Sequence, residues 1–163
     1  MTAALLAVHV LAAVVMVGPI TVAASTFPRY ARAAGTPSAD PVQRQAARAS
    51  AAAMYQISRT YAVLSVAVPV FGIATAVALD VLTQSWVLVS MLLTVVAGLL
   101  LALAVVPLQR RVLGRVTAPT AEADPVSRSI ARLAALTGTF NLIWVLVVVL
   151  MIVRPGSTTG VWR

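Results

Sequence analysis

Cysteine and lysine are both missing from the 163 residues, histidine occurs once, and aspartate and glutamate together occur four times. Without cysteine there is no disulfide, no thiolate metal site and no cysteine nucleophile, and cysteine usage carries no signal about redox compartment. A single histidine excludes a bis-histidine haem within one chain. No His/Glu zinc spacing, Ser/His/Asp set or Gly-rich phosphate loop can be assembled. The acidic residues Asp40, Asp80, Glu122 and Asp124 all fall in loops or at the ends of apolar runs, so no span carries paired carboxylates for proton coupling. The spans are equally poor in uncharged polar residues, which argues against a small-solute transporter.

What the chain has instead is apolar surface. It is 61% hydrophobic and only 10% charged, with a mean hydropathy of +0.98. A soluble domain of this length could not bury so much, so the bilayer is the solvent for most of it. Four apolar stretches suffice to cross a hydrocarbon core of about 30 Å, which takes about 20 helical residues. They run from about Ala3 to Ser25, from Thr60 to Leu79, from Trp86 to Val106 where Pro107 stops the run, and from about Leu133 to Val153. Pro69 predicts a kink in the second. The first ends in small residues, as a signal peptide does, but it has no basic n-region and is longer than an h-region, so a retained helix is expected. The expected fold is an all-α polytopic four-helix bundle forming one domain over residues 1–163, with loops over about 26–59 and 107–132.

The net charge of +8 comes entirely from arginine. Arginine without lysine, beside abundant Ala and Val, is the composition of a GC-rich bacterial genome. The arginines flank apolar spans and do not line an aromatic-studded surface, so lipid headgroups explain them and nucleic acid does not. Arg29, Arg32, Arg44, Arg48 and Arg59 surround the first connection, and Arg110, Arg111, Arg115, Arg128 and Arg132 the third. The opposite side has only Arg154 and Arg163. The positive-inside rule then places both long loops in the cytoplasm of a bacterial inner membrane and both termini outside it. Thr36 and Thr120 should face the cytoplasm, and Thr83 and Thr158 the exterior.

The two basic connections share a phrase. "ADPVQRQAARASA" begins at Ala39 and "ADPVSRSIARLAA" at Ala123. In each, an Asp can cap a helix whose first position is Pro, and Arg44 and Arg48 fall in register with Arg128 and Arg132. An offset of two spans preserves orientation, so the phrase points to two duplicated helical hairpins related by an axis along the membrane normal. After the first copy, "RQAARASAAAMYQISR" delays the apolar run by several turns. That Ala-rich stretch predicts a helical stalk outside the bilayer, lying on headgroups or docking a partner.

The polar content of the spans is slight. His9 sits about 9 Å and Met91 about 8 Å inside the outer ends of their helices at 1.5 Å per residue, so the two could share a layer, with Met16 deeper and Met151 nearer the surface. Imidazole with thioether suits Cu(I) or a His/Met-ligated haem iron. The simpler reading is a neutral His9 hydrogen-bonded to a neighbouring helix, with methionines as gap-fillers and no bound metal. On that reading His9 points inward with Ala13, Met16 and Ile20, toward Ser90 or a carbonyl near Val148 to Met151. Gly18, Ala23, Ala24 and Gly98 read as close-packing positions. Trp86 suits the outer interface, Trp144 fills the bundle beside Asn141, and Trp162 needs no special role.

"HVLAAVVMVGP", residues 9 to 19, resembles the opening helix of small bacterial four-helix membrane proteins of unknown function. These are similar to the membrane domain of copper-resistance protein D and, more distantly, to the haem-dependent membrane protoporphyrinogen oxidase. His9, Gly18, Pro28 and Arg29 fit the pattern over about the first thirty residues. Met16 stands where those families place a Trp, and the further histidines of a haem-dependent oxidase are absent.

The reading of the whole sequence is a non-enzymatic integral membrane protein, an accessory or assembly component. Its contacts with anionic lipid, another membrane protein or a second copy fall to Arg29, Arg32, Arg44, Arg48, Arg110, Arg111, Arg115, Arg128 and Arg132. The alternative is a copper- or haem-handling protein using His9 with Met91, and with Met16 as a further metal ligand.

Overall fold

A computed structural model describes residues 2–36, 38–117 and 123–156, with the side chains of 123–125 left out. Thr120, Glu122, Thr158, Trp162, Arg163 and the Asp124 side chain, all invoked above, lie outside the described residues.

Four long helices carry the structure: α1 Thr2–Ala34, α2 Pro41–Ala78, α3 Ser85–Thr117 and α4 Ala123–Val153. All four are long and apolar enough to cross a membrane. The protein is therefore an all-α, four-helix membrane protein. At 1.5 Å per residue each is about 46 Å or longer, against a hydrocarbon core of about 30 Å. The apolar stretch lies toward one end of each helix, so the excess length projects at the other, arginine-bearing end.

Much of what reads as loop is therefore helix. α1 continues to Ala34, α2 starts at Pro41, and α3 runs through to Thr117. High alanine content sustains the stalk of α2 as expected. Its start is capped as the sequence implies: the Asp40 side chain accepts a hydrogen bond from the Gln43 backbone N–H at 3.3 Å, with Pro41 opening the helix. In the second copy of the phrase, helix already begins at Ala123, one residue before Asp124.

Pro107 does not stop the third helix. It follows a π-helical segment, Leu101–Val105, and Pro19 follows another, Ala13–Val17. A proline ring clashes with the carbonyl four residues earlier and brings no N–H. Those carbonyls, of Val15 and Leu103, lie inside the π segments, whose wider turns let the helix continue. Both prolines stand two residues beyond a five-residue π segment, so the likeness of the two halves extends to their backbones. Pro69 acts differently: α2 is interrupted at Ser65 and Val66, the turn whose carbonyl its ring would meet.

The tight core lies in the arginine-bearing half. Phe27, Ile20, Leu133, Gln109, Val105, Val112 and Ser58 are wholly buried there. In the apolar half, Leu11, Val14, Val70, Leu92, Val95 and Ile152 face outward, as side chains solvated by lipid do.

Candidate functional site

His9 points inward, with 8% of its surface exposed. Its Nδ1 donates to the carbonyl oxygen of Val68 at 3.0 Å, which fixes the protonated nitrogen because a carbonyl can only accept. The partner belongs to α2, whereas the sequence pointed to α3 and α4. What admits the ring is Gly72: a Cβ there would stand 2.9 Å from His9 Cε1 and 3.3 Å from Nδ1. No residue with a side chain fits that face of α2 while the imidazole stays in place. Gly72 and Val68 were missed by sequence reasoning; an isolated glycine inside an apolar span was the available signal.

The rest of the predicted inward face holds in part. Ile20 is fully buried, and Ala13 and Met16 are half-buried against the main core. Ser90 is buried, but its hydroxyl has no partner. Met91 packs with Ala76, Trp86, Val87 and Met151 in a separate apolar cluster, while the hydrogen bond and closest glycine contact of His9 are both to α2. Trp86 is buried in that cluster; its Nε1 donates to the Gln84 side-chain oxygen, and the Arg154 guanidinium lies 5.4 Å from its ring centroid. Ala23 and Ala24 are close-packed as expected. Gly18 and Gly98 are not: a Cβ on either would meet nothing within 4 Å. Each sits one residue off the packed face marked by Val17 and by Ala97, so being small says nothing about where it points.

Two further polar contacts tie helices together. Asn141 Nδ2 on α4 donates to Ser25 Oγ on α1 at 3.1 Å. Gln109 Nε2 on α3 donates to Ser58 Oγ on α2 at 3.2 Å, both residues fully buried. Trp144 is half-buried against the main core. With His9 and Val68, these bonds link α1 to α2, α1 to α4 and α2 to α3. Within hydrocarbon, where the His9–Val68 bond lies, such a bond contributes about 0.6 kcal/mol, rarely above about 1.7.

The arginines form the second feature. Arg29, Arg32, Arg110, Arg111, Arg115, Arg128 and Arg132 are exposed. Arg115 Nη1 donates to Ser129 Oγ at 3.2 Å, bracing α3 against α4. Arg44 and Arg48, one turn apart on α2, are half-buried, and their Nε atoms are covered without a hydrogen-bond partner. Beneath them Ala31 and Ala34 of α1 are buried, as are Ala47 and Ala51 of α2. This end is thus a packed helical platform with its charge outward. No group of three or more His, Asp or Glu side chains that could hold a metal ion exists among the described residues.

Four spans joined by a few interhelical hydrogen bonds, with one basic helical end, define a polytopic integral membrane protein. Residues 3–155 match the family described as "Predicted integral membrane protein (DUF2269)", and the chain belongs to that family. No curated protein and no solved structure matches it.

Proposed function

We propose that this chain is a non-catalytic component of a bacterial inner membrane, an accessory or assembly subunit. In this reading both termini lie outside the cytoplasm, and the arginine-bearing end lies inside it, against anionic headgroups and a partner membrane protein or a second copy. The observation that carries the reading is the platform itself. Small buried alanines hold α1 and α2 together beyond the bilayer and leave Arg29, Arg32, Arg110 and Arg111 facing outward on rigid helices. Rigid, unspent cations suit an anionic surface more than they suit a reaction.

A photo-reactive residue at exposed Gln45, activated in native membranes, tests the platform. The reading expects adducts with anionic lipid or a discrete protein adduct, lost when Arg44, Arg48, Arg110 and Arg111 are changed to Gln. Adducts unchanged by that substitution would contradict it.

The second reading, copper or haem handling, draws on the resemblance of the first helix and on one contact. A backbone carbonyl holding His9 Nδ1–H leaves Nε2 as the ligating nitrogen, an arrangement common around metal-bound histidine. His9 would supply imidazole, and Met91 or Met16 the thioether. A visible spectrum and metal analysis of purified protein separate the two readings. A Soret band or stoichiometric copper, lost in His9→Ala, would replace the first reading by the second.

A further inference from the structure

On α2, Gln56, Arg59, Thr60, Val63 and Leu64 line a surface groove of about 320 Å³. Their spacing puts them on one helical face. The bundle uses the other side of the same helix, where Ala51 and Ser58 are fully buried. The groove is graded: its first turn carries an amide, a guanidinium and a hydroxyl, and its second carries two exposed apolar side chains, Val63 and Leu64. It ends where α2 is interrupted at Ser65.

None of the three polar side chains has a hydrogen-bond or ion-pair partner among the described residues. The hydroxyls of Thr26, Thr75, Thr94 and Thr139 each bond the carbonyl four residues earlier, and that of Thr60 does not. Nor is there a neutralising acid among the described residues. Asp40 and Asp80 bracket α2 at its two ends, each about 30 Å from Arg59 along the helix. Depth supplies the last constraint. Arg59 lies 19 residues from Ala78, the far end of α2, and this is about 28 Å, nearly the thickness of the hydrocarbon core. The Gln109–Ser58 hydrogen bond holds Arg110 of α3 at about the same level. Arg59 thus stands at the hydrocarbon boundary, with Val63 and Leu64 one turn deeper.

From this geometry we infer that the groove is a binding site for a single anionic glycerophospholipid of the surrounding bilayer. The Arg59 guanidinium, the Gln56 amide and the Thr60 hydroxyl donate to its phosphate oxygens, and an acyl chain lies along Val63 and Leu64. Arg59 offers planar paired donors suited to phosphate. The graded groove matches an amphiphile and does not match a free anion or an acidic peptide. The inference rests on the reading that the arginine-bearing end meets headgroups, and adds to it one site of defined composition.

The absence of native cysteine makes the test clean. Val63→Cys carries an environment-sensitive fluorophore in bilayers containing phosphatidylglycerol or phosphatidylcholine with brominated chains. A second probe at Leu103→Cys, exposed on α3, reports the general lipid population. The site predicts that the anionic lipid is enriched about two- to fivefold at position 63 over position 103, the effect of one arginine near the surface. Arg59→Gln should abolish this excess and Arg154→Gln, at the opposite end of the bundle beside Trp86, should retain it, while added inorganic phosphate should have no effect. Equal enrichment at both probes would overturn the site and leave the headgroup reading intact; no enrichment at either would overturn both. Displacement by phosphate would reassign the groove to a soluble anion and so also overturn the proposal.

Discussion

The two ends of the bundle are held together differently. At the arginine-bearing end, Phe27, Leu133, Val112 and Val116 are packed to near-zero exposure, as in a soluble helical protein. In the apolar half, many large aliphatic side chains point outward, and burial is confined to His9 on Gly72, the small cluster around Trp86 and an inner line that includes Val17, Val68, Ala97 and Val147. The solvent accounts for the contrast. Water drives apolar burial where helices project beyond the bilayer. Lipid tails do not distinguish a buried valine from an exposed one, so inside the bilayer close contacts and hydrogen bonds hold the helices.

Truncating the core should separate the two regimes most clearly. Phe27→Ala, at 0% exposure, should cost about 3–5 kcal/mol. Leu92→Ala on the lipid face should stay within about 0.5 kcal/mol. Thermal unfolding in lipid nanodiscs reads both, and similar losses would erase the distinction. Next in size, Gly72→Ala drives a methyl group into the imidazole and should lose about 1–3 kcal/mol. In a His9→Ala background the same change should cost little. If the glycine substitution were equally harmful with and without the imidazole, the niche would not be what holds His9.

A smaller effect is expected where α2 begins. Asp40→Ala removes the cap on Gln43 and should lose about 1 kcal/mol. Backbone amide exchange of the first turn of α2 should rise with it. Smallest of all is Gln109→Met. It gives up the bond to Ser58 but removes a buried carbonyl oxygen that has no partner. A change within about 1 kcal/mol, of either sign, is expected at nearly conserved volume. A larger loss would mean that Gln109 has a polar role beyond its bond to Ser58.

Hydropathy and capping made most of the fold legible. The four helices, the stalk, the interruption before Pro69 and the Asp40 cap all follow from local chemistry. What the sequence could not reveal was which helix neighbours which. Span hydropathy is blind to neighbours, so the partner of His9 was sought on α3 and α4 and is found on α2. Helical phase escaped for a related reason. Gly18 and Gly98 are small enough to pack, yet a rotation of about 100° per residue turns each of them outward. The continuation past Pro107 was hidden because a π turn has no compositional signature. The arginines were legible as charge, but that Arg59 shares one groove with Gln56, Thr60, Val63 and Leu64 emerges only with the helical course of α2.

The account stands or falls on four spans with the arginine-bearing end in the cytoplasm. Single cysteines at Thr36 and Thr83, in an otherwise cysteine-free chain, can be probed in intact spheroplasts with a membrane-impermeant maleimide. The account predicts that Thr83→Cys labels at once and that Thr36→Cys labels only after the membrane is opened. Labelling of both positions from the same side would contradict it.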